Sequence, residues 1–237
     1  MPIDRRDRRA NVRRARFTVL AALLAVASLY IGLHVGRGGL QRHPLTGRPI
    51  AGIATDSSWL DRAAREREEA PERALALIGL RPGMVVADVG AGSGYMTTRI
   101  AHIVGPAGKV YANDIQPAML SIVQTKAEAE HLANVELVLG TDVDTRLPEH
   151  AIDLALLVDV YHEFQHPQEM LRSIRRALKP EGRLVLVEYR KEDPTIPIAP
   201  THRMSVADVR TEIEAEGFIF DRVLEELPRQ HIIVFRK

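Results

Sequence analysis

The stretch VVADVGAGSGY, residues 85–95, constrains this chain more than any other. An apolar run leads into Gly90, Gly92 and Gly94. Glycines at that spacing suit a backbone that turns sharply after a strand and lets a ligand approach closer than a Cβ permits. Tyr95 stands where a dinucleotide fingerprint carries its third glycine, which disfavours NAD and a pyrophosphate. Asp114 follows in KVYANDI. At the end of a second strand its carboxylate is placed to accept hydrogen bonds from both hydroxyls of a ribose.

The rest of the chain alternates in the same way. Strands are predicted at 84–89, 109–113, 135–139, 152–158 and 184–189, with a closing pair at 218–224 and 232–235. Helices are predicted at 58–69, 71–78, from the glycine turn to 103, and at 118–131, 167–178 and 206–216. Apolar runs alternating with longer helical patterns imply a mostly parallel sheet with helices on both faces.

Five stretches together resemble the class I S-adenosylmethionine-dependent methyltransferases, over roughly residues 59–237: VVADVGAGSGY, VYANDIQPAML, LGTD, LLVDVYHEFQHP and LRSIRRALKPEGRLVLVE. The resemblance implies an α/β, Rossmann-like, seven-stranded sheet whose last strand is antiparallel, with S-adenosyl-L-methionine as cofactor. It further implies that Gly90, Gly92 and Gly94 approach the amino-acid portion of the cofactor and that Asp88 supports their loop. Asp114 would hold the ribose and Asp142, in LGTD, the adenine amino group.

YHEFQHPQEML, residues 161–171, contains H-E-x-x-H, the spacing of zinc proteases, which requires both histidines on one helix. Pro167 breaks that geometry, because proline suits the first turn of a following helix and leaves His166 at its cap. The loop after the strand ending at Asp159 faces the cofactor cleft instead. Asp159, Tyr161 and His162 are the catalytic candidates, with His162 first as a general base or orienting group, and Asp159 also a cofactor contact. His202 and His231 flank late strands as pocket candidates, and Trp59 and Arg62 are candidates for a lid. The sulfonium methyl is already activated, so no metal is chemically required and none is expected.

The N-terminal segment, 1–55, differs from the rest in composition. It holds ten Arg and two Asp, a charge of +8, which leaves −7 for the segment 56–237 against a total of +1. An acidic main domain makes nucleic acid an unexpected partner. Residues 1–16 form a basic tail and 17–35 a continuous uncharged run, a membrane anchor or export signal. Residues 36–55 read as a flexible juxtamembrane linker, and 56–237 as the catalytic domain. The chain contains no cysteine, which excludes disulfides and thiolate chemistry.

The arginine excess before the apolar run places the domain outside the cytoplasm, whereas the cofactor favours the cytoplasmic face. The expected function is methyl transfer to a small acceptor, lipophilic if the domain is tethered at a membrane. The alternatives are an exported or tethered binding protein on the same fold, and an NAD-dependent oxidoreductase.

Overall fold

The computed structural model describes residues 40–237, and Arg42–Lys237 form one compact unit. The basic tail, the apolar run at 17–35 and the hydrophobic helix expected there lie outside the described residues. Among the described residues no helix is long and apolar enough to cross a membrane.

The strands are β1 (Val85–Val89), β2 (Lys109–Asp114), β3 (Val135–Leu139), β4 (Ile152–Val158), β5 (Leu178–Arg190), β6 (Arg203–Met204), β7 (Ile219–Leu224) and β8 (Gln230–Arg236). Seven of them run in the order β3-β2-β1-β4-β5-β8-β7. β1 to β5 pair in parallel, and β8 is antiparallel to both β5 and β7. The last strand is therefore antiparallel, as expected. The eighth strand is the addition: β5 continues past Val187, the last residue paired with β4, and Tyr189 and Arg190 pair with β6 instead. Backbone groups left without a ladder partner need one.

Strand residues alternate between two apolar layers, because successive side chains point to opposite faces. Leu154 and Leu156 join Ile78, Ile100 and Val104 on one face; Ala155 and Leu157 join Leu171, Ile174 and Ile213 on the other. Helices α3 (Pro71–Ile78) and α4 (Tyr95–Val104) cover the first face, α6 (Pro167–Ala177) and α7 (Val206–Glu214) the second, and α5 (Pro117–Ala129) packs on β2 and β3. The helix expected at 58–69 is two short ones, α1 (Ser57–Leu60) and α2 (Arg65–Glu69). Asp61 interrupts it, its carboxylate accepting from Ser93 Oγ and Lys126 Nζ at 2.8 Å.

Residues 42–55 are a packed strap, which corrects the reading of that stretch as a flexible linker. His43, Arg48, Ile50 and Ala51 are all buried. Arg48 donates from Nε and Nη2 to the two Glu212 oxygens at 2.9 and 3.0 Å, a forked pair anchoring the strap to α7. Farther along, Ala51 N–H donates to the His162 carbonyl at 2.9 Å. The folded unit thus begins at 42 rather than 56.

Candidate active site

A cavity of about 450 Å³ opens at the C-terminal ends of β1, β2 and β4, a size that suits a small-molecule ligand. The parallel sheet reverses its strand order between β1 and β4, where crossovers leave a crevice. Gly90, Gly92, Asp114, Asp142, Asp159 and His162 line it; Asp88, Gly94 and Tyr161 do not.

The glycine loop is held by protein as much as it is open to ligand. Gly90 and Ala91 both donate N–H to the Asn113 carbonyl, at 2.8 and 3.0 Å. Gly90 has φ 74°, and a Cβ there would stand 2.3 Å from the Val160 side chain. A Cβ on Gly92 would meet Leu60 of α1 at 2.8 Å. Gly94 departs from expectation: it starts α4 and packs against Val123 of α5, away from the cavity. Asp88 accepts from Thr97 Oγ1 of α4 at 2.6 Å, and burial pushes its carboxyl up to about 6.

Asp114 closes β2 with its carboxylate in the cavity wall. One oxygen accepts from Gly92 N–H at 2.9 Å and the other from Gln116 N–H at 2.8 Å. A carboxylate offers about four acceptor positions, so about two remain for a diol. Burial raises its pKa against backbone hydrogen bonds from Gln116, Gly92 and Ile115.

Asp159 follows β4 in the left-handed region, at φ 52°. That conformation is costly for a residue with a Cβ and recurs at functional sites. Its Oδ2 accepts from Gln230 Nε2 at 2.7 Å, while Oδ1 is buried with no partner. Burial, followed by the charges of Glu69 and Glu188, raises its pKa well above the ordinary value.

The HEFQH segment folds as a short 3-10 turn, Tyr161–Glu163, followed by α6 from Pro167. Its two histidines separate. His162 is buried, with Nδ1 2.7 Å from Glu188 Oε2. A carboxylate can only accept, so Nδ1 carries the proton and Nε2 faces the cavity. Burial lowers the basicity of His162, but the Glu188 charge overcomes it and the net shift is upward. His166 is exposed at the start of α6, makes no side-chain cap, and has Nε2 3.5 Å from Asp142. The zinc-protease arrangement is absent.

Tyr161 is a correction among the catalytic candidates. Its ring lies in the core with Phe164 edge-on at 5.5 Å and the Arg48 guanidinium 5.1 Å from its centroid. The single-turn geometry sends adjacent residues 161 and 162 to different sides. His202 lines the cavity, as do Trp59 and Arg62, whereas His231 is fully buried on β8 and does not reach it. Sequence reasoning missed Glu69, Glu163 and Tyr189 in the wall, and Glu188 behind His162. Glu188 left one signal, a lone acid inside the apolar run RLVLVEY; a glutamate buried there requires a partner.

A family model described as "Methyltransferase domain" matches residues 80–226, which span β1 to β7 and nearly all of this cavity's sheet wall. The chain belongs to that methyltransferase family. The chain is 34% identical over 118 residues to the ubiquinone/menaquinone biosynthesis C-methyltransferase of Ectopseudomonas mendocina, covering 49% of this chain and 46% of that one. It is 33% identical over 119 residues to the enzyme of the same name from Pseudomonas fluorescens, covering 50% and 46%. The chain thus spans about half the length of the curated relatives it matches. A solved S-adenosylmethionine-dependent methyltransferase from Aquifex aeolicus superposes with a TM-score of 0.72 at 29% identity, over 77% of this chain and 98% of that one. Membership brings S-adenosylmethionine as the cofactor of this methyltransferase.

The residues present fit that cofactor. Glu69, Asp114, Asp142, Asp159 and Glu163 line the cavity against Arg62 and Arg65, and the buried Asp159 Oδ1 has no partner. An acidic wall with an orphaned acceptor suits a ligand carrying an ammonium and a sulfonium.

Proposed function

We propose that this methyltransferase acts on a small lipophilic ring compound of the quinone-precursor type. The observation that carries the reading is the mixed lining of the cavity. Beside the polar Asp114 and His162 and the glycines Gly90 and Gly92 it presents the apolar Ile53, Trp59, Pro197 and Ile198. The names of the relatives from Ectopseudomonas mendocina and Pseudomonas fluorescens point to the same acceptor class.

Asp114 binds the ribose hydroxyls through its free acceptor positions, and Asp142 accepts from the adenine amino group. Ile115 and Met119 supply apolar walls beside them. Asp159 takes the amino-acid end at Oδ1. The cofactor supplies an activated sulfonium methyl, so the domain contributes alignment and exclusion of water. His162 stands at the acceptor side, where it orients a ring hydroxyl or carbonyl. The apolar run at 17–35 would hold the domain beside a bilayer and so beside such an acceptor.

The test is calorimetric titration of the full chain with S-adenosylmethionine and S-adenosylhomocysteine, followed by turnover on a panel of prenylated phenols and quinols. Asp114→Ala is expected to weaken binding ten-fold or more, about 1.4 kcal/mol. Cofactor binding without turnover on any lipophilic acceptor would favour a binding protein on this fold.

A further inference from the structure

We propose that His162, Glu163 and His202 form a binding site for one divalent first-row transition-metal ion at the acceptor side of the cavity. The two histidines come from separate segments of the chain, the turn after β4 and the 3-10 turn Pro200–His202 before β6. Each of the three residues offers a ligand atom, and these atoms all lie within 4.8 Å of one another. The His162 and His202 rings meet edge to face, with centroids 5.0 Å apart.

The donor types are those of a two-histidine, one-carboxylate metal centre, a set used by zinc and by non-haem iron. Ligands about 2.1 Å from a tetrahedral ion stand about 3.4 Å apart, so the cluster has to contract by about an ångström. His202 sits on a short turn at the cavity rim and is only half-buried, which leaves it free to approach.

The surroundings are built as ligating groups require. His162 donates Nδ1–H to Glu188, which leaves its Nε2 lone pair facing the cluster, 3.9 Å from Glu163 Oε1. A carboxylate behind a histidine is the usual means of orienting it toward a metal. Glu188 is itself held, accepting from Tyr161 N–H at 2.9 Å. Both Glu163 oxygens accept from Ala54 N–H of the strap at 3.1 Å. On His202, Nδ1 stands 3.1 Å from Thr201 Oγ1, leaving Nε2 as the ligating atom.

All three residues line the cavity, so such an ion would have its remaining coordination positions open to the acceptor. An oxygen ligand, such as a phenol, enol or quinone carbonyl, is the chemical class it would take. The H-E-x-x-H spacing in the sequence is thereby half used: the first histidine and the glutamate contribute, and the third ligand comes from His202 rather than His166. The acceptor class rests on the methyl-transfer reading, and the metal site does not.

The experiment is titration of the full chain, stripped with chelator, with CoCl₂ followed optically and with ZnSO₄ followed calorimetrically. The expected result is one Co²⁺ per chain with visible absorption of a four- or five-coordinate ion, bleached by one equivalent of Zn²⁺. His202→Ala and Glu163→Gln should each weaken Co²⁺ binding at least ten-fold with an unchanged thermal unfolding midpoint, whereas His166→Ala should leave the affinity as it was. Absence of stoichiometric binding, or affinity unaltered in His202→Ala, overturns the site. Affinity lost equally in His166→Ala also overturns it. S-adenosylhomocysteine titrated into the same preparation separates the two ideas: cofactor binding without cobalt fails the metal site alone, and cobalt binding without cofactor fails the methyl-transfer reading alone.

Discussion

Glu188 lies in the middle of the sheet with no exposed surface, one carboxylate oxygen 2.7 Å from His162 Nδ1 and the other 2.9 Å from the Tyr161 backbone nitrogen. A single acid on β5 thus sets both the ring orientation of His162 and the turn that carries it. Removing it leaves two buried donors unsatisfied. Glu188→Ala is expected to destabilise the fold by about 2–5 kcal/mol in urea unfolding, and Glu188→Gln by less, since an amide oxygen still accepts one bond. Equal losses for the two variants would show that hydrogen bonding is not what Glu188 supplies.

The strap depends on another buried charge. Arg48 and Glu212 are both buried, His43 Nε2 is 3.4 Å from the same carboxylate, and Arg48 also lies over Tyr161. Arg48→Ala strands the Glu212 charge, and a loss of about 3–5 kcal/mol is expected. A chain starting at residue 56 should melt lower than one starting at 40. Coincident melting curves would contradict the strap's contribution.

Asp88 makes the stability depend on pH. Its carboxyl titrates at about 6 in the folded protein against 3.8 free, so the folded state keeps a proton that the unfolded chain has released. Stability from this group therefore falls as pH rises from about 4 to about 6, and the loss is complete above that. Between about pH 4 and pH 8, the stability of Asp88→Asn relative to wild type should shift upward by as much as about 3 kcal/mol. A gap independent of pH, measured by urea unfolding, would show that Asp88 ionises normally.

Cofactor binding should release protons. The raised pKa values of Asp114 and Asp159 both begin with burial, and a bound cation favours their ionised forms. S-adenosylmethionine affinity is expected to rise with pH as these groups ionise, with S-adenosylhomocysteine, which lacks the sulfonium charge, showing a weaker dependence. Calorimetry in buffers of different ionisation enthalpy counts the protons directly.

Asp159 separates stability from function. At φ 52° a glycine relieves about 1 kcal/mol of backbone cost, while the orphaned Oδ1 disappears with the side chain. The same change strips the buried Gln230 Nε2 of its acceptor, which offsets that gain, so Asp159→Gly should melt close to wild type and bind S-adenosylmethionine at least ten-fold more weakly. A variant that keeps its affinity would remove Asp159 from the cofactor site.

The sheet was legible because its signals are local. The apolar runs at 135–139 and 152–158 match β3 and β4 residue for residue, and helix 71–78 begins at its proline and ends before a left-handed glycine. Gly90, Gly92, Asp114 and Asp159 could be placed at the cavity because each sits at the C-terminal end of a parallel strand, where chain direction alone puts it. Other positions depended on contacts between distant segments. Nothing local in GRPIAGIAT shows that Arg48 will meet the remote Glu212 and turn a linker into a strap. Nor does YHE show that Tyr161 turns into the core while His162 meets Glu188 behind it and His202 across the cavity. Periodicity and strand polarity are written in neighbouring residues, whereas buried ion pairs and convergent side chains exist only once the chain has brought remote residues together.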